Sequence, residues 1–272
     1  MRDLLEQLCR LALDAGEITL RHFGAGAEVR RKENASPVTD ADEESEALIL
    51  EGLARVLPGV PVIAEEAVAA GRVPGTGDRF VLVDPLDGTR EFVDERPDFT
   101  VNIGLIEAGV PVAGVVYAPA RRALYFGAAQ TGAFFSECEA RAAAFDPQRA
   151  RAIAVRRPPP EGLVAVASRS HRRAETDAFL KTLRLSGTTS IGSSLKFCLL
   201  AAGEADIYPR HGPTMEWDTA AGDAVLRAAG GSVRLLDGTL LTYGKSGEGY
   251  RNPPFIARGR ANGTQPAGPP AS

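Results

Sequence analysis

The sequence is poor in cysteine, has no long apolar run and carries little net charge, and each of these absences excludes a class of protein. Its three cysteines are scattered over 272 residues, form no CxxC pair and suggest no disulfide framework. A formal net charge of -4 argues against a general nucleic-acid binder. No apolar run approaches the length of a membrane span, and we see no internal repeat.

The first residues also lack the apolar segment of a signal peptide, since acids fall within the first turns at Asp3 and Glu6. Together with the cysteine pattern, this predicts a cytoplasmic protein in a reducing compartment, with no membrane span and no nucleic-acid partner. The composition, 44% hydrophobic and 24% charged, is typical of a globular protein, and the length allows one large or two medium domains. A monomer and a homodimer are both compatible with the sequence.

The first half of the sequence, residues 1–145, predicts helices packed against an antiparallel sheet, an α+β layer. Apolar positions recur at helical spacing over residues 2–23, and Ser36–Glu43 opens a second helix that runs to about Leu57. Apolar runs then alternate with turns, which indicates two β-hairpins. The predicted hairpins cover residues 99–117 and 124–135.

The second half, residues 146–258, alternates short strands with helices and predicts an α/β layer. The boundary between the halves falls in the charged, Pro-rich stretch 139–160. The Gly/Pro-rich tail 259–272 is expected to be disordered. The predicted helices are His171–Leu183, Ser193–Ala202 and Thr219–Ala229, and the last predicted strand is Ser232–Leu236.

The stretch Val81–Phe92 places two aspartates at the end of an apolar run that is typical of a strand buried on both faces. Pro85 lacks an N–H and is expected to end the strand, so Asp84 and Asp87 flank the break. Like charges this close raise each other's pKa unless a cation lies between them. With the carbonyl of Leu86 they form a set of hard oxygen donors, which suits Mg²⁺, Ca²⁺ or Mn²⁺ better than zinc.

Each acidic motif also has a purely structural interpretation. Asp87 followed by glycine favours an ordinary turn, although a turn has no use for the second acid. Asp42 stands three residues after Thr39, as in a capping box at the start of a helix. Asp218 is a good N-cap residue for the helix that follows it. Pro61–Glu66 predicts a short strand that ends in two acids, of which only one can face a common site.

The residues Asp84-Pro85-Leu86-Asp87-Gly88-Thr89, closed by Phe92, resemble the signature of the Mg²⁺-dependent, lithium-sensitive phosphatases. That family includes inositol monophosphatases, fructose-1,6-bisphosphatases and 3'(2'),5'-bisphosphate nucleotidases. The Val-Thr-x-x-Asp stretch that ends at Asp42, the acid Glu65 and the pair Trp217-Asp218 follow the family's order, so the resemblance runs from about residue 36 to 231. It implies the layered αβαβα sandwich of the inositol monophosphatase type.

The resemblance also implies a mechanism, the hydrolysis of a phosphate monoester with two or three Mg²⁺ ions and without a phospho-enzyme. In that family a metal-activated water attacks phosphorus directly, positioned or deprotonated by the hydroxyl of Thr89, which donates to Asp42. Glu65 is carried over both as a catalytic residue and as a ligand, and the N–H groups of Gly88 and Thr89 are expected to hold a phosphate oxygen. The implied metal ligands are Glu65, Asp84, Leu86, Asp87 and Asp218.

The substrate prediction depends on residues in the second half. Arg210 stands where inositol monophosphatases usually have a glutamate, and a cation there points to a second negative group on the substrate. Ser193 and Lys196 add a hydroxyl and an amine at a helix start, and Ser168–His171 adds further donors, although each charge can equally be solvated. The implied substrate-binding residues are Asp87, Gly88, Thr89, Ser193, Lys196, Arg210 and Asp218.

These residues resemble the CysQ-type 3'(2'),5'-bisphosphate nucleotidases, which remove the 3'-phosphate from adenosine 3',5'-bisphosphate to give AMP and can act on its sulfated form. The resemblance implies a role in clearing this by-product of sulfate assimilation. One alternative is an inositol-1-phosphate phosphatase, because the two branches share the metal residues. Another is a non-catalytic nucleotide-binding regulator, which has no reason to keep both Asp42 and Thr89 beside four ligands.

Overall fold

The structure is a computed structural model, and it describes residues 1–24, 30–31, 37–168 and 173–260. Three of the sequence predictions fall largely outside these residues. Of the donors predicted at Ser168–His171, residues 169–171 lie outside, and so does the predicted disordered tail from residue 261 onward. A polar loop that the sequence also indicates at Arg30–Asn34 is outside from residue 32 onward.

The described residues form helices and strands in an order close to the predicted one. The helices are α1 Arg2–His22, α2 Asp40–Val56, α3 Glu65–Ala69, α4 Thr89–Val93, α5 Ala174–Lys181, α6 Leu195–Ala201 and α7 Ala220–Ala228. The strands are β1 Arg30–Arg31, β2 Pro37–Val38, β3 Val62–Ala64, β4 Arg79–Asp87, β5 Thr100–Glu107, β6 Val110–Ala118, β7 Ala123–Ala128, β8 Gly132–Glu137, β9 Arg151–Ile153, β10 Leu163–Ser168, β11 Leu185–Ile191, β12 Ile207–Arg210, β13 Thr214–Met215, β14 Ser232–Leu235, β15 Arg251–Asn252 and β16 Phe255–Arg258.

The strands form two large sheets and two short pairs. The first sheet has seven strands in the order β3-β4-β5-β6-β7-β8-β9, antiparallel throughout except for the pair β3-β4. The second sheet has five strands in the order β11-β10-β12-β16-β14. In this sheet β10 is parallel to its two neighbours, and β16 is antiparallel to its two neighbours. The second sheet is therefore mixed, whereas the first is almost entirely antiparallel.

Alternate residues of the two sheets face different helices, and this produces five layers. In β4, Val81 and Val83 belong to the core formed with α1 and α2, whereas Leu82 belongs to the core formed with α6 and α7. In β12, Tyr208 packs against α6, and Ile207 packs toward α5 on the other face. The order helix, sheet, helix, sheet, helix confirms the predicted sequence of layers.

Two strands of the large sheets, β9 and β16, were not predicted, and neither were the four strands of the short pairs. β16 follows the strand at Ser232–Leu235, so the prediction that this strand is the last was wrong. It lies between β12 and β14 and is antiparallel to both, because the chain returns across the sheet after β14. β9 pairs with β8, so the first sheet continues past residue 145. The division of the chain into residues 1–145 and 146–258 stays a prediction.

The three cysteines are buried and free, which agrees with the prediction that the chain has no disulfide framework. Among the helices of the described ranges, none is both long and apolar enough to cross a membrane.

Candidate active site

A β-bulge at the end of β4 turns two aspartates toward one cavity. Asp84 pairs with Asn102 of β5 and Asp87 pairs with Thr100, so three steps along β4 match two steps along β5. Side chains three positions apart in a regular strand point to opposite faces, and the extra residue of a bulge brings them to the same face. Both aspartates consequently line a cavity of about 450 Å³.

The bulge also corrects the prediction that Pro85 ends the strand, because β4 continues to Asp87. β3 pairs with β4 no further than Val83, so Pro85 has no neighbour on that side that requires its N–H. Gly88 follows in the left-handed region at φ +94°, where a Cβ atom would lie 3.2 Å from the carbonyl oxygen of Asp98. Glycine is therefore required where the chain turns into α4.

The acid pair at residues 65–66 begins a helix and does not end a strand, which corrects a second local prediction. β3 ends at Ala64, and α3 begins at Glu65. The N–H of Glu66 donates to the carboxylate of Glu46 at 2.7 Å, so an acid of α2 satisfies the first turn of α3. Glu65 lines the cavity and the buried Glu66 does not, so one acid of the pair faces the site, as expected.

Three carboxylates come together at one point of the cavity. Single oxygen atoms of Glu65, Asp84 and Asp218 all lie within 4.8 Å of one another. They belong to the start of α3, the bulge of β4 and the turn before α7, so tertiary structure brings them together. Asp87 lines the same cavity, but its Oδ2 atom accepts from the N–H of Ser194 at 2.6 Å. The structure thus brings all four predicted acids to one cavity and three of them to one point.

Burial and mutual repulsion disfavour the charged forms of these acids. Burial is the main cause that raises the pKa of Asp84 well above its usual value, and the charges of Glu65, Asp87 and Asp218 raise it further. Burial likewise raises the pKa of Asp218, followed by repulsion from Asp87 and Glu65. A divalent cation held by several carboxylate oxygens relieves both effects. The donor set therefore fits a hard divalent metal ion.

Asp218 does not cap the helix that follows it, so its N-cap interpretation is wrong. The N-cap residue of α7 is Thr219, and the side chain of Asp218 accepts instead from the N–H of Met215 at 2.8 Å. Asn252 of β15 steadies this turn, because its amide donates to the carbonyl oxygen of Met215, also at 2.8 Å. The carboxylate of Asp218 is thereby fixed at the wall of the cavity.

Thr89 and Asp42, the predicted relay, share no hydrogen bond among those of the described residues. Asp42 caps α2, because its Oδ2 atom accepts from the N–H and the hydroxyl of Thr39 at 2.8 and 2.7 Å, so the capping box is confirmed. Burial outweighs these bonds and raises the pKa of Asp42 to about 7. Thr89 donates its hydroxyl to the carbonyl oxygen of Leu86 at 3.3 Å. Thr89 and Leu86 line the cavity, and their predicted roles stay predictions.

A second group of cavity residues is cationic. Arg210, at the end of β12, is buried and donates to two backbone carbonyl oxygens of the following loop, at 3.2 and 2.9 Å. Lys196 of α6 is also buried, and its amine donates to the carbonyl oxygen of Ile191 at 3.4 Å. Burial lowers the pKa of Lys196 to about 8, although the nearby charge of Asp87 acts in the opposite direction. Both predicted cations therefore face the cavity that holds the acids.

The structure adds three residues that the sequence analysis did not single out. Arg173 lines the cavity from the start of α5, and nothing in the sequence distinguished it from a solvated charge. Asn102 and Ser194 hold Asp87 by hydrogen bonds, and a lone amide inside the apolar strand β5 was the available signal. The predicted Ser193 lines the cavity with a φ of +47°, and its buried hydroxyl has no partner among the described atoms.

The sequence matches a known protein family over nearly its whole length. The model of the inositol monophosphatase family matches residues 1–265. The chain belongs to the inositol monophosphatase family. Relatives of this family member include the 3'(2'),5'-bisphosphate nucleotidase CysQ of Salmonella typhimurium, which is 46% identical over 93% of this chain and 98% of the relative. The protein of the same name from Escherichia coli is 44% identical, again over 93% of this chain and 98% of the relative.

Solved structures agree with this assignment. CysQ of Bacteroides thetaiotaomicron is 35% identical and superposes with a TM-score of 0.77, over 94% of this chain and 96% of that chain. An inositol monophosphatase from Anabaena is 28% identical with a TM-score of 0.72, over 94% of this chain and 90% of that chain. The predicted αβαβα sandwich of the inositol monophosphatase type is confirmed, and the chain is a member of a family of metal-dependent phosphatases.

Proposed function

We propose that this family member is a 3'(2'),5'-bisphosphate nucleotidase that removes the 3'-phosphate of adenosine 3',5'-bisphosphate to give AMP. The names of its relatives support this choice, and one observation in the structure carries it. The cavity that holds the carboxylates is also lined by Arg173, Lys196 and Arg210. Within the described ranges, none of these three cations forms an ion pair with a carboxylate. A substrate with a second phosphate supplies the missing anion.

Arg173 and Arg210 approach one point above Gly212. A Cβ atom on that glycine would lie 3.1 Å from Nε of Arg173, which is a tight contact, and 3.7 Å from Nε of Arg210, which is an ordinary one. A larger residue would therefore press on the side chain of Arg173. Guanidinium groups this close repel each other unless an anion lies between them. A phosphate accepts paired hydrogen bonds from a guanidinium, so the second phosphate of a bisphosphonucleotide suits this place. Inositol-1-phosphate has no such group.

We also propose that the metal ion is Mg²⁺, because every donor at the site is a hard oxygen atom. Ions bound there would neutralise phosphate charge and would lower the pKa of a bound water. Two or three ions, inhibition by lithium, a cytoplasmic location and a role in sulfate assimilation stay predictions of the resemblance. The residues proposed to hold the ions are Glu65, Asp84, Asp87 and Asp218 through carboxylates and Leu86 through its carbonyl.

The chain's own groups position the reactants. Thr89 donates its hydroxyl proton to the carbonyl oxygen of Leu86. The lone pairs of the Thr89 hydroxyl oxygen therefore remain able to accept a hydrogen bond from the attacking water. The N–H groups of Gly88 and Thr89 stand at the start of α4, where they can hold a phosphate oxygen. Asp42 acts through the capping box, which fixes the first turn of α2. Catalysis by these groups depends on positioning and electrostatics.

A turnover panel tests the proposed function. The purified protein, supplied with Mg²⁺, is given adenosine 3',5'-bisphosphate, inositol-1-phosphate and fructose-1,6-bisphosphate in separate assays. We expect the highest kcat/KM for the nucleotide. A higher value for inositol-1-phosphate would establish the sugar phosphatase alternative instead. Binding of the nucleotide without turnover of any of the three would establish the regulator.

The Arg210→Glu substitution should lower kcat/KM for adenosine 3',5'-bisphosphate by about 10–100-fold, because a charge-assisted hydrogen bond is worth roughly 1.5–3 kcal/mol. Repulsion between the new carboxylate and the phosphate enlarges the loss. Hydrolysis of inositol-1-phosphate should be unchanged or improved. The measurement is kcat/KM for both substrates with the wild-type protein and the variant.

Lys181→Glu is the matched control, since it makes the same change of charge on an exposed residue of α5 and should leave both activities unchanged. Arg210 also supports the loop after β12 through two carbonyl oxygens. Equal losses on the two substrates would therefore assign Arg210 to loop support and would remove it from the phosphate site.

Removal of the metal should make stability depend on pH. The pKa values of Asp84 and Asp218 are raised in the metal-free fold. The metal-free fold is therefore most stable when both acids are protonated, and it loses that stability as pH rises through the raised pKa values. Bound Mg²⁺ reverses this loss. Mg²⁺ at about 100 times its Kd should raise the melting temperature by about 5–10 °C near pH 8. The rise in melting temperature should be smaller near about pH 5.5.

Thermal melts of chelator-treated protein, with and without added Mg²⁺ at both pH values, measure this difference. A shift that is the same at both pH values would contradict binding by the buried acids. Full turnover in excess chelator would contradict the Mg²⁺ proposal itself.

A further inference from the structure

A single serine connects acids from the two halves of the chain. The backbone N–H of Ser194 donates to Oδ2 of Asp87 at 2.6 Å. The hydroxyl of the same residue donates to the backbone carbonyl oxygen of Asp218, also at 2.6 Å. Ser194 is 1% exposed and stands just before α6, in the helix layer between the two sheets. It thus joins the bulge of β4 to the turn before α7.

Asn102 of β5 supports this serine from the first sheet. Its Nδ2 group donates to the hydroxyl oxygen of Ser194 at 3.0 Å and to Oδ2 of Asp87 at 3.3 Å. The residue is fully buried, and its Oδ1 atom has no hydrogen-bond partner among the described atoms. An unpaired buried carbonyl costs stability, and the reverse amide orientation would place that oxygen against a carboxylate. The orientation of the Asn102 amide is therefore explained by its two hydrogen bonds, to Ser194 and to Asp87.

The backbone before Ser194 points to the same role. Ser193 has a φ of +47°, a strained conformation that non-glycine residues rarely adopt. Gly192, the residue before it, lies close to the segment that leads into β5. A Cβ atom on Gly192 would lie 2.7 Å from the carbonyl oxygen of Asp98 in that segment. This tight turn brings the N–H of Ser194 to Asp87. A strained turn that ends in two short hydrogen bonds to the acid segments is the arrangement expected of a device for positioning.

We propose that Ser194, held by Asn102, sets the position of Asp87 relative to Asp218, and that this fixed geometry is required for tight binding of a divalent cation. The inference rests on the proposed function only through the ligand assignment of these two acids. Groups that orient metal ligands without touching the metal typically contribute 10–100-fold to metal affinity or activity.

The test measures metal binding and does not depend on turnover. Mn²⁺ is titrated into the metal-free full-length protein, and free Mn²⁺ is followed by its electron paramagnetic resonance signal. Ser194→Ala should weaken binding by about 10–100-fold. The control is Ser45→Ala, which also removes a buried serine hydroxyl that donates to a carbonyl oxygen, that of Ala15 at 3.3 Å, but between α1 and α2. It should bind Mn²⁺ within about twofold of wild type, as an independent site does.

Two more variants separate positioning from loss of structure. Ser194→Thr keeps the N–H and the hydroxyl and should retain binding within about threefold, whereas a loss as large as that of Ser194→Ala would overturn the proposal. Asn102→Ala should also weaken Mn²⁺ binding. In the double variant, the loss of affinity should be smaller than the product of the two single losses, because both substitutions remove the same hydrogen bond. A loss in the double variant equal to the product of the two single losses would contradict the proposal that Asn102 acts through Ser194.

Wild-type affinity in Ser194→Ala would overturn the inference and would leave the nucleotidase proposal untouched. Conversely, absence of turnover on adenosine 3',5'-bisphosphate would remove the proposed function while the Mn²⁺ comparison stayed valid. The melting temperature of the metal-free variants, measured beside that of Ser45→Ala, identifies a variant that fails to fold. If Ser194→Ala fails in this way, Asn102→Ala decides, and unaltered Mn²⁺ binding by that variant would overturn the proposal.

Discussion

Asp87→Asn should abolish turnover of the phosphate ester while the fold remains intact. Asp87 is a proposed ligand, and asparagine removes its charge but keeps an oxygen that can accept the N–H of Ser194. Burial raises the pKa of Asp87 in the metal-free protein, so the neutral amide should not lower the melting temperature there. The measurements are kcat at saturating Mg²⁺ and the melting temperature in chelator. Retention of more than about a tenth of wild-type kcat, a barrier change below about 1.4 kcal/mol, would contradict the ligand assignment.

Asp237→Asn is the control for this experiment. Asp237 also accepts from one backbone N–H and one side-chain donor, both belonging to Thr239, but it is exposed and lies outside the cavity. It should keep full activity. A similar loss in both variants would indicate a general effect of removing an aspartate charge and not the loss of a ligand.

Thr89→Val should lower kcat by about 10²-fold or more, which is a typical contribution of general acid–base catalysis, with metal affinity little changed. Valine keeps the shape of threonine and loses the hydroxyl that the water is proposed to approach. In the structure this hydroxyl contacts the carbonyl of Leu86 and not Asp42. The experiment therefore tests the hydroxyl itself, independently of the relay. Measurement of kcat and of Mn²⁺ affinity together separates catalysis from metal binding.

Thr182→Val is the matched control, since its hydroxyl also donates to the carbonyl oxygen three residues earlier, that of Phe179 at 2.7 Å, at the exposed end of α5. It should leave kcat unchanged. A normal kcat in Thr89→Val would mean that Thr89 only begins α4.

The acids of the site were predictable because each lies in a short motif that resembles a motif of the phosphatase family. Asp84 and Asp87 follow a buried strand, and Asp42 stands at capping distance from Thr39. The bulge was not predictable, because a proline after an apolar run normally indicates the end of a strand. Only the position of β3, which stops opposite Val83, shows why β4 can continue.

Other features depend on contacts between distant segments, and a single sequence gives little information about those. The acid pair at residues 65–66 starts α3 because Glu46 of α2 accepts the N–H of Glu66. Arg173 reaches the cavity because a glycine at position 212 leaves room for it. The predicted contact of Thr89 with Asp42 came from family resemblance, and the direction of a hydroxyl group cannot be inferred from residue spacing.

The place of β16 in the second sheet has a consequence for synthesis of the protein. Its neighbours β12 and β14 both precede it in the sequence, so a growing chain releases them from the ribosome before the strand that joins them exists. Until Phe255–Arg258 has emerged, those neighbours have unpaired edges that invite association with other chains. All the acids of the cavity have been made by then, yet the sheet beside them is still open. The nascent chain therefore carries every acid of the candidate site before the sheet beside that site is complete.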